Sequence, residues 1–229
     1  TASFADRIHT ERRIVRLERS GQVQTLLAAD GTRETFDHVV LACHSDQALQ
    51  LLSDPTPDEQ ATLGSIRYQS NTAILHTDTS LMPRRKRAWA SWNYIGAGES
   101  PTQQQLCVTY LMNRLQNLPT SKPIMLTLNP CKRIDPGKII RSYEYEHPMF
   151  NAAAIRSQPR LWGLQGQQNT WYCGAYFGSG FHEDGIQAGL AVAEKLGGLQ
   201  RPWTVKNPSA RVGLSAEGRP FPSLDMVSA

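Results

Sequence analysis

At 229 residues, 40% hydrophobic and 19% charged, the chain can build one large core or two small ones and is too apolar to be disordered. Its net charge is +4, with much of the excess in Arg84-Arg85-Lys86-Arg87. No other basic stripe or interleaved aromatics accompany that run, so a solvated loop is the better reading, nucleic acid is not an expected partner, and a peripheral contact with membrane or lipid stays open. No apolar run nears the roughly 20 residues that span a bilayer, and the polar opening does not resemble a signal peptide. Four scattered cysteines form no CxxC pair or metal-ligand cluster. The expectation is a cytoplasmic protein without a metal.

The first predicted strand runs from Ile14, where apolar and charged residues alternate. Ser20-Gly21 turns the chain into a second strand, Val23 to Ala28. Asp30-Gly31 is a hairpin signal leading to a third, Glu34 to Phe36, which completes a meander. Asp37 to Cys43 is a continuous apolar run that suits a strand buried on both faces of a parallel sheet. A helix over Gln47 to Leu52 follows, capped by Ser45 or Asp46. Pro57 opens another over Asp58 to Leu63.

From Tyr68 to Glu146 the pattern is strands joined by loops, with no βα alternation. The strands are Tyr68 to Asp78, Trp89 to Tyr94, Gln105 to Met112, Pro123 to Leu128 and Ile139 to Glu146. That predicts an inserted antiparallel sheet. A helix over Asn151 to Gln158 is expected to stop at Pro159. Trp171 to Cys173 then forms a short strand, Gly174 to Gly180 a bend rich in small residues, and Ile186, Leu190, Ala193 and Leu196 an apolar helical stripe ending at Gly197-Gly198. The chain after Asn207 lacks periodicity and is expected to be loose.

The bend permits two readings. Its glycines serve packing, or they let main chain and the N–H groups of the next helix approach a phosphate or an electron-rich ring edge. Here the chain resembles the FAD-dependent amine oxidase superfamily, which includes protoporphyrinogen oxidases and phytoene-desaturase-like enzymes. The strand Trp171 to Cys173, then Gly174-Ala175-Tyr176, then Gly180-Phe181-His182-Glu183-Asp184-Gly185 and a helix is similar to that family's C-terminal flavin-contacting segment. The acidic residue usual after the first glycine is absent. The meander, the Asp37-His38-Val39-Val40-Leu41-Ala42 strand and the helix ending Leu51-Leu52 resemble the family's middle portion.

The resemblance implies an α/β protein, α+β overall. Residues 1–52 and 151–205 would be pieces of a partial FAD-binding α/β domain, 53–150 an inserted antiparallel substrate domain and 206–229 an irregular tail. It implies FAD contacts at Ile14, through its backbone to the adenine, and at Cys43, His44, Gly174, Ala175, Tyr176, Phe181, His182 and Glu183. Trp92, Tyr94, Tyr143 and Tyr145 would line the substrate site, although core packing explains each singly. His182 is read either as an acid or base or as a loop residue offering backbone only, and Glu183 as a helix cap or a cofactor neighbour. Lys122, Lys132 and Lys138 match by position a lysine near the flavin in some relatives, and none is assigned; the catalytic residue is unknown.

A dinucleotide fold also needs G-x-G-x-x-G against the pyrophosphate, and none occurs in this sequence. The expected function is the C-terminal portion of an FAD oxidoreductase acting on an amine or unsaturated lipid-like small molecule. Its partner would be a missing N-terminal dinucleotide-binding segment, without which FAD binds weakly or not at all. A non-catalytic binding or assembly module is the alternative, and oligomeric state is unassigned.

Overall fold

The computed structural model describes residues 2–97, 105–215, 218 and 220. It is a mixture of helices and mainly antiparallel sheet, and its contacts divide it into two units, 1–68 with 148–229, and 69–147. The division falls at 68 and 148, whereas the sequence suggested 52 and 150. The residues after 52 include Leu63 and Ile66, which are buried in the first unit's core.

In the first unit, β1 (Ile14–Ser20), β2 (Val23–Ala28) and β3 (Arg33–Phe36) form the expected antiparallel meander. Register slips between Ile14 and Arg16, leaving a bulge at Val15. Bulges locally unpair a strand and re-aim its backbone. β4 (Val39–Leu41) pairs in parallel with β10 (Thr170–Tyr172), with Val40 opposite Trp171. Parallel strands need a long crossover between them, and here 128 intervening residues, 42–169, supply it.

The N-cap of α1 (Ser45–Leu51) is His44, one residue before Ser45 and two before Asp46, the expected caps. α2 (Pro57–Leu63) opens with a capping box. The Thr56 hydroxyl accepts the Glu59 N–H at 3.2 Å, and the Glu59 carboxylate accepts the Thr56 N–H at 2.8 Å. Leu17, Ala48, Leu63, Leu161 and Ala188 have no exposed surface in the common core. Full burial of a leucine stabilises by about 1.5–3 kcal/mol.

Three expectations are corrected in this unit. α4 (Ala152–Leu161) continues through Pro159; the carbonyl that proline leaves unbonded is that of Ile155, a residue 45% exposed and open to water. α5 (His182–Gly197) buries Asp184, Gln187, Ala188, Ala191 and Val192 rather than the predicted stripe, and Ile186 is 56% exposed. The helix is apolar around a wide arc, and its small residues permit the closer approach. The chain after Asn207 is not loose throughout: Val212 and Leu214 lie in the core, and the Trp162 indole N–H donates to the Val212 carbonyl at 2.7 Å.

The second unit is built on a five-stranded sheet, ordered β6 (Trp92–Ala97), β7 (Gln105–Leu111), β8 (Met125–Leu128), β5 (Arg67–His76) and β9 (Ile139–Met149). The three pairings from β6 through β5 are antiparallel. One face carries a buried polar line. His76 Nε2 lies 2.7 Å from the Thr127 hydroxyl, which lies 2.9 Å from that of Thr109, and Asn93 donates to the Thr109 carbonyl. The Asp78 N–H donates to His76 Nδ1, so Nε2 carries the ring proton and donates to Thr127.

Candidate functional site

The parallel pair positions the site. In open α/β sheets ligands sit beyond the carboxyl ends of the strands. β4 runs out into Cys43 and His44, β10 into Cys173, Gly174 and Ala175, and the Cys173 N–H still bonds the Leu41 carbonyl at 3.2 Å. A β-carbon on Gly174 would lie 3.7 Å from the Cys43 carbonyl oxygen. Two sequence-distant candidates are therefore neighbours.

Cys43 also lines a cleft of about 490 Å³ with Arg13, Ile14, Val15, Gln47, Gln50 and Leu51, a size typical of small-ligand pockets. β1 is an edge strand here. Further along, its Leu17 carbonyl accepts the Ser53 N–H, while the bulge opens onto the cleft. Ile14 and Cys43 thus share one concavity. Sequence reading missed Gln47, Gln50 and Leu51; their i, i+3 and i+4 spacing on a short helix after a buried strand was the available signal. His44 stacks on Tyr68 with ring centroids 4.2 Å apart, the Ser45 N–H donates to the Tyr68 hydroxyl at 3.0 Å, and His44 Nδ1 is buried without a partner. Burial, with Asp46 nearby, pushes the Cys43 thiol up, so it stays protonated and is a poor nucleophile.

The bend is partly filled by the chain itself. On Gly174 a β-carbon would meet the Tyr176 ring at 2.6 Å; on Gly178, the Asp184 carboxyl carbon at 2.6 Å; on Gly180, the Phe150 ring at 2.9 Å. These glycines serve close internal packing, one of the two readings of the bend. Tyr176 is 2% exposed and its carbonyl accepts from Gln158, so its side chain belongs to the scaffold. Its hydroxyl has no hydrogen-bond partner, and burial drives its pKa far up.

Gly174 and Ala175 remain half-exposed, while Phe181, His182 and Glu183 are exposed. The first turn of α5 packs beside Ala175: a β-carbon on Gly185 would lie 3.6 Å from the Ala175 nitrogen, an ordinary contact. Asp184, rather than Glu183, closes the helix start: its carboxylate accepts the N–H groups of Ser179 and Phe181 and pairs with Arg211 at 2.7 Å. Glu183 faces outward and accepts from Gln187. The N–H groups of His182 and Glu183 begin the helix and have no intrahelical acceptor.

The four proposed substrate-lining aromatics lie in the second unit. Trp92 and Tyr94 share one sheet face and are 48% and 63% exposed; Tyr110, which sequence reading missed, packs edge-on against Trp92 at 5.7 Å. Tyr143 and Tyr145 lie 5.8 Å apart on β9, with Arg141 over Tyr143. Core packing does not explain these four, which are all exposed.

Among the described residues, no group of three or more His, Cys, Asp or Glu is placed to hold a metal ion, and no helix is long and apolar enough to cross a membrane.

The profile of the flavin-containing amine oxidoreductases matches residues 2–130. No curated protein matches the chain. Among solved structures, reduced UDP-galactopyranose mutase is 14% identical with a TM-score of 0.55, over 87% of this chain and 50% of that one. A conjugated-linoleic-acid-producing fatty acid isomerase from P. acnes is 17% identical, TM-score 0.46, over 71% and 42%. RebC-10x, native and K252c-bound, is 13% identical, TM-score 0.42, over 92% and 42%. The chain spans half or less of each, and at such identity the mutase shows a shared fold alone. With the profile covering more than half of its length, the chain belongs to the flavin-containing amine oxidoreductase family.

Proposed function

We propose that the chain is the C-terminal portion of an FAD-dependent oxidoreductase that moves hydride equivalents from an amine or unsaturated lipid-like substrate to flavin. The observation that carries this is the continuity of the first unit's candidates: the Ile14–Cys43 cleft leads through the Cys43 carbonyl to Gly174, at the carboxyl ends of the β4–β10 pair. The open edge of β1 beside Ile14 offers backbone donors and acceptors to an adenine. When bound, the flavin accepts the electrons and supplies the redox chemistry. The chain's own share is positioning and charge: the N–H groups of His182 and Glu183 and the positive end of α5 stabilise negative charge nearby. Ile14, Val15 and Leu51 supply the apolar part of the cleft's lining.

The cleft at Ile14 and Cys43 and the half-exposed Gly174 and Ala175 support contacts with the adenine and ring ends of FAD, whereas nothing in the sequence supplies a cradle for its pyrophosphate, since no glycine-rich phosphate turn occurs in it. We therefore assign the pyrophosphate to an N-terminal dinucleotide-binding segment, and expect FAD to bind this chain weakly or not at all. Residues 1–52 and 151–205 would belong to the FAD-binding domain. The inserted sheet would present Trp92, Tyr94, Tyr143 and Tyr145 to substrate. Four free cysteines support a reducing, cytoplasmic compartment.

The test is the absorbance of the parent protein carrying both portions. A flavin spectrum that disappears when Ile14 and Gly174 are both replaced by bulky residues, with folding retained by circular dichroism, supports the reading. A colourless parent overturns it and leaves a non-catalytic binding module.

A further inference from the structure

The molecule's positive charge is unevenly placed. Between residues 69 and 147, Lys and Arg outnumber Asp and Glu ten to five, while the rest of the chain has fourteen against fifteen. The second unit therefore carries the whole excess. From Thr79 to Ile134 the sequence has eight cations and a single acid, Glu99.

The fold gathers six of these cations at one end of the sheet. Trp92, which begins β6, pairs with Tyr110 near the end of β7, and the Leu111 N–H bonds the Ser91 carbonyl at 2.9 Å. The loop before β6 and the connection from β7 to β8 therefore lie side by side. They are tied together: the Arg114 guanidinium donates to the Trp89 carbonyl at 2.6 Å, and the Trp89 indole donates to the Pro83 carbonyl at 2.8 Å. Asn113 donates to the Thr120 and Lys122 carbonyls and accepts the Ile124 N–H.

Arg84, Arg85, Lys86, Arg87, Arg114 and Lys122 are all exposed, and none is in an ion pair among the described residues. Asp78 and Asp135, the carboxylates flanking this end, are engaged by Lys138. An apolar group stands among the cations: Leu115, next to Arg114 on the single turn α3 (Met112–Leu115), is 44% exposed.

We propose that this end of the second unit docks on an anionic bilayer surface, its six cations facing lipid phosphates and carboxylates while Leu115 enters the headgroup boundary. Cations near such a surface gain electrostatic attraction that falls off within a Debye length. The exposed leucine favours a bilayer over nucleic acid, which offers it nothing. The inference does not depend on flavin binding.

Co-sedimentation of the whole chain with vesicles of phosphatidylcholine containing phosphatidylserine tests it, against vesicles of phosphatidylcholine alone. Binding to the anionic vesicles only, released by salt, is expected. Replacing Arg84, Arg85, Lys86 and Arg87 by Gln lowers partitioning about 100-fold or more, and Leu115→Ser lowers it several-fold at unchanged charge. These side chains are exposed, and circular dichroism verifies that the variants fold. The proposal is overturned by absence of binding to anionic vesicles at low salt, by equal binding of the four-Gln variant, or by tighter binding to duplex DNA than to vesicles at the same salt.

Discussion

Arg19 and Glu59 form a buried ion pair at 2.7 Å, each side chain 2% exposed, and the Tyr172 hydroxyl donates to the same carboxylate at 2.6 Å. Burial alone pushes the Glu59 carboxyl up, but hydrogen bonds from Arg19, Tyr172 and the Thr56 N–H together hold it below the ordinary carboxylate range. One partner cannot be removed cheaply. Arg19→Met leaves a buried carboxylate without its counter-ion and is expected to cost about 3–5 kcal/mol in urea denaturation at neutral pH. Tyr176 presents the opposite case. Its hydroxyl is buried and unbonded, so Tyr176→Phe removes a desolvated polar group and keeps the ring. A gain of about 1 kcal/mol is expected from the urea midpoint, and a loss of similar size would reveal an undetected partner. Neither role is visible in sequence, where Arg19, Glu59 and Tyr176 are ordinary residues far apart.

At the scale of elements, the bend and α5 act as one piece. The Asp184 carboxylate fills the space beside Gly178, accepts two N–H groups of the bend and binds Arg211. A β-carbon at Gly178 would also meet the Arg211 carbonyl oxygen at 2.9 Å, which is backbone and yields little. Gly178→Ala is therefore expected to destabilise by about 1–3 kcal/mol, read by thermal or urea unfolding. The strand, bend and helix were legible because composition and periodicity are local. The buried side of α5 was not, because Ile186, Leu190 and Ala193 compete with Ala188, Ala191 and Val192, and only the neighbouring elements choose between them.

For the whole molecule, the two units are expected to answer acid differently. Burial pushes the His76 imidazole below its ordinary 6.5, and the nearby Asp78 opposes this without reversing it. The unfolded chain thus takes up the proton first. The stabilisation is complete above about pH 6.5 and is lost as pH falls below it. Glu59 is also depressed, but from an ordinary carboxylate value of 4.5, so its contribution is lost only at lower pH. Acid titration followed by tryptophan fluorescence is expected to show the second unit weakening first. His76→Gln is expected to flatten that earlier phase, and an unchanged profile would remove His76 as its cause.

The meander, the buried strand before Cys43, the inserted antiparallel sheet and the strand, bend and helix that include Gly174 were all readable from the residues in order, because alternation, turn residues and helical spacing are properties of neighbours along the chain. It took the folded chain to show that Ile14 and Cys43 share a cleft, that the Cys43 carbonyl lies beside Gly174 and that Tyr176 turns inward. Folding also brought Arg114 and Lys122 beside the basic run that alone looked like a solvated loop. The Cys43–Gly174 approach depends on a strand pairing across more than a hundred residues, and the others on which elements pack together or which side of a segment is covered; local pattern does not encode that choice.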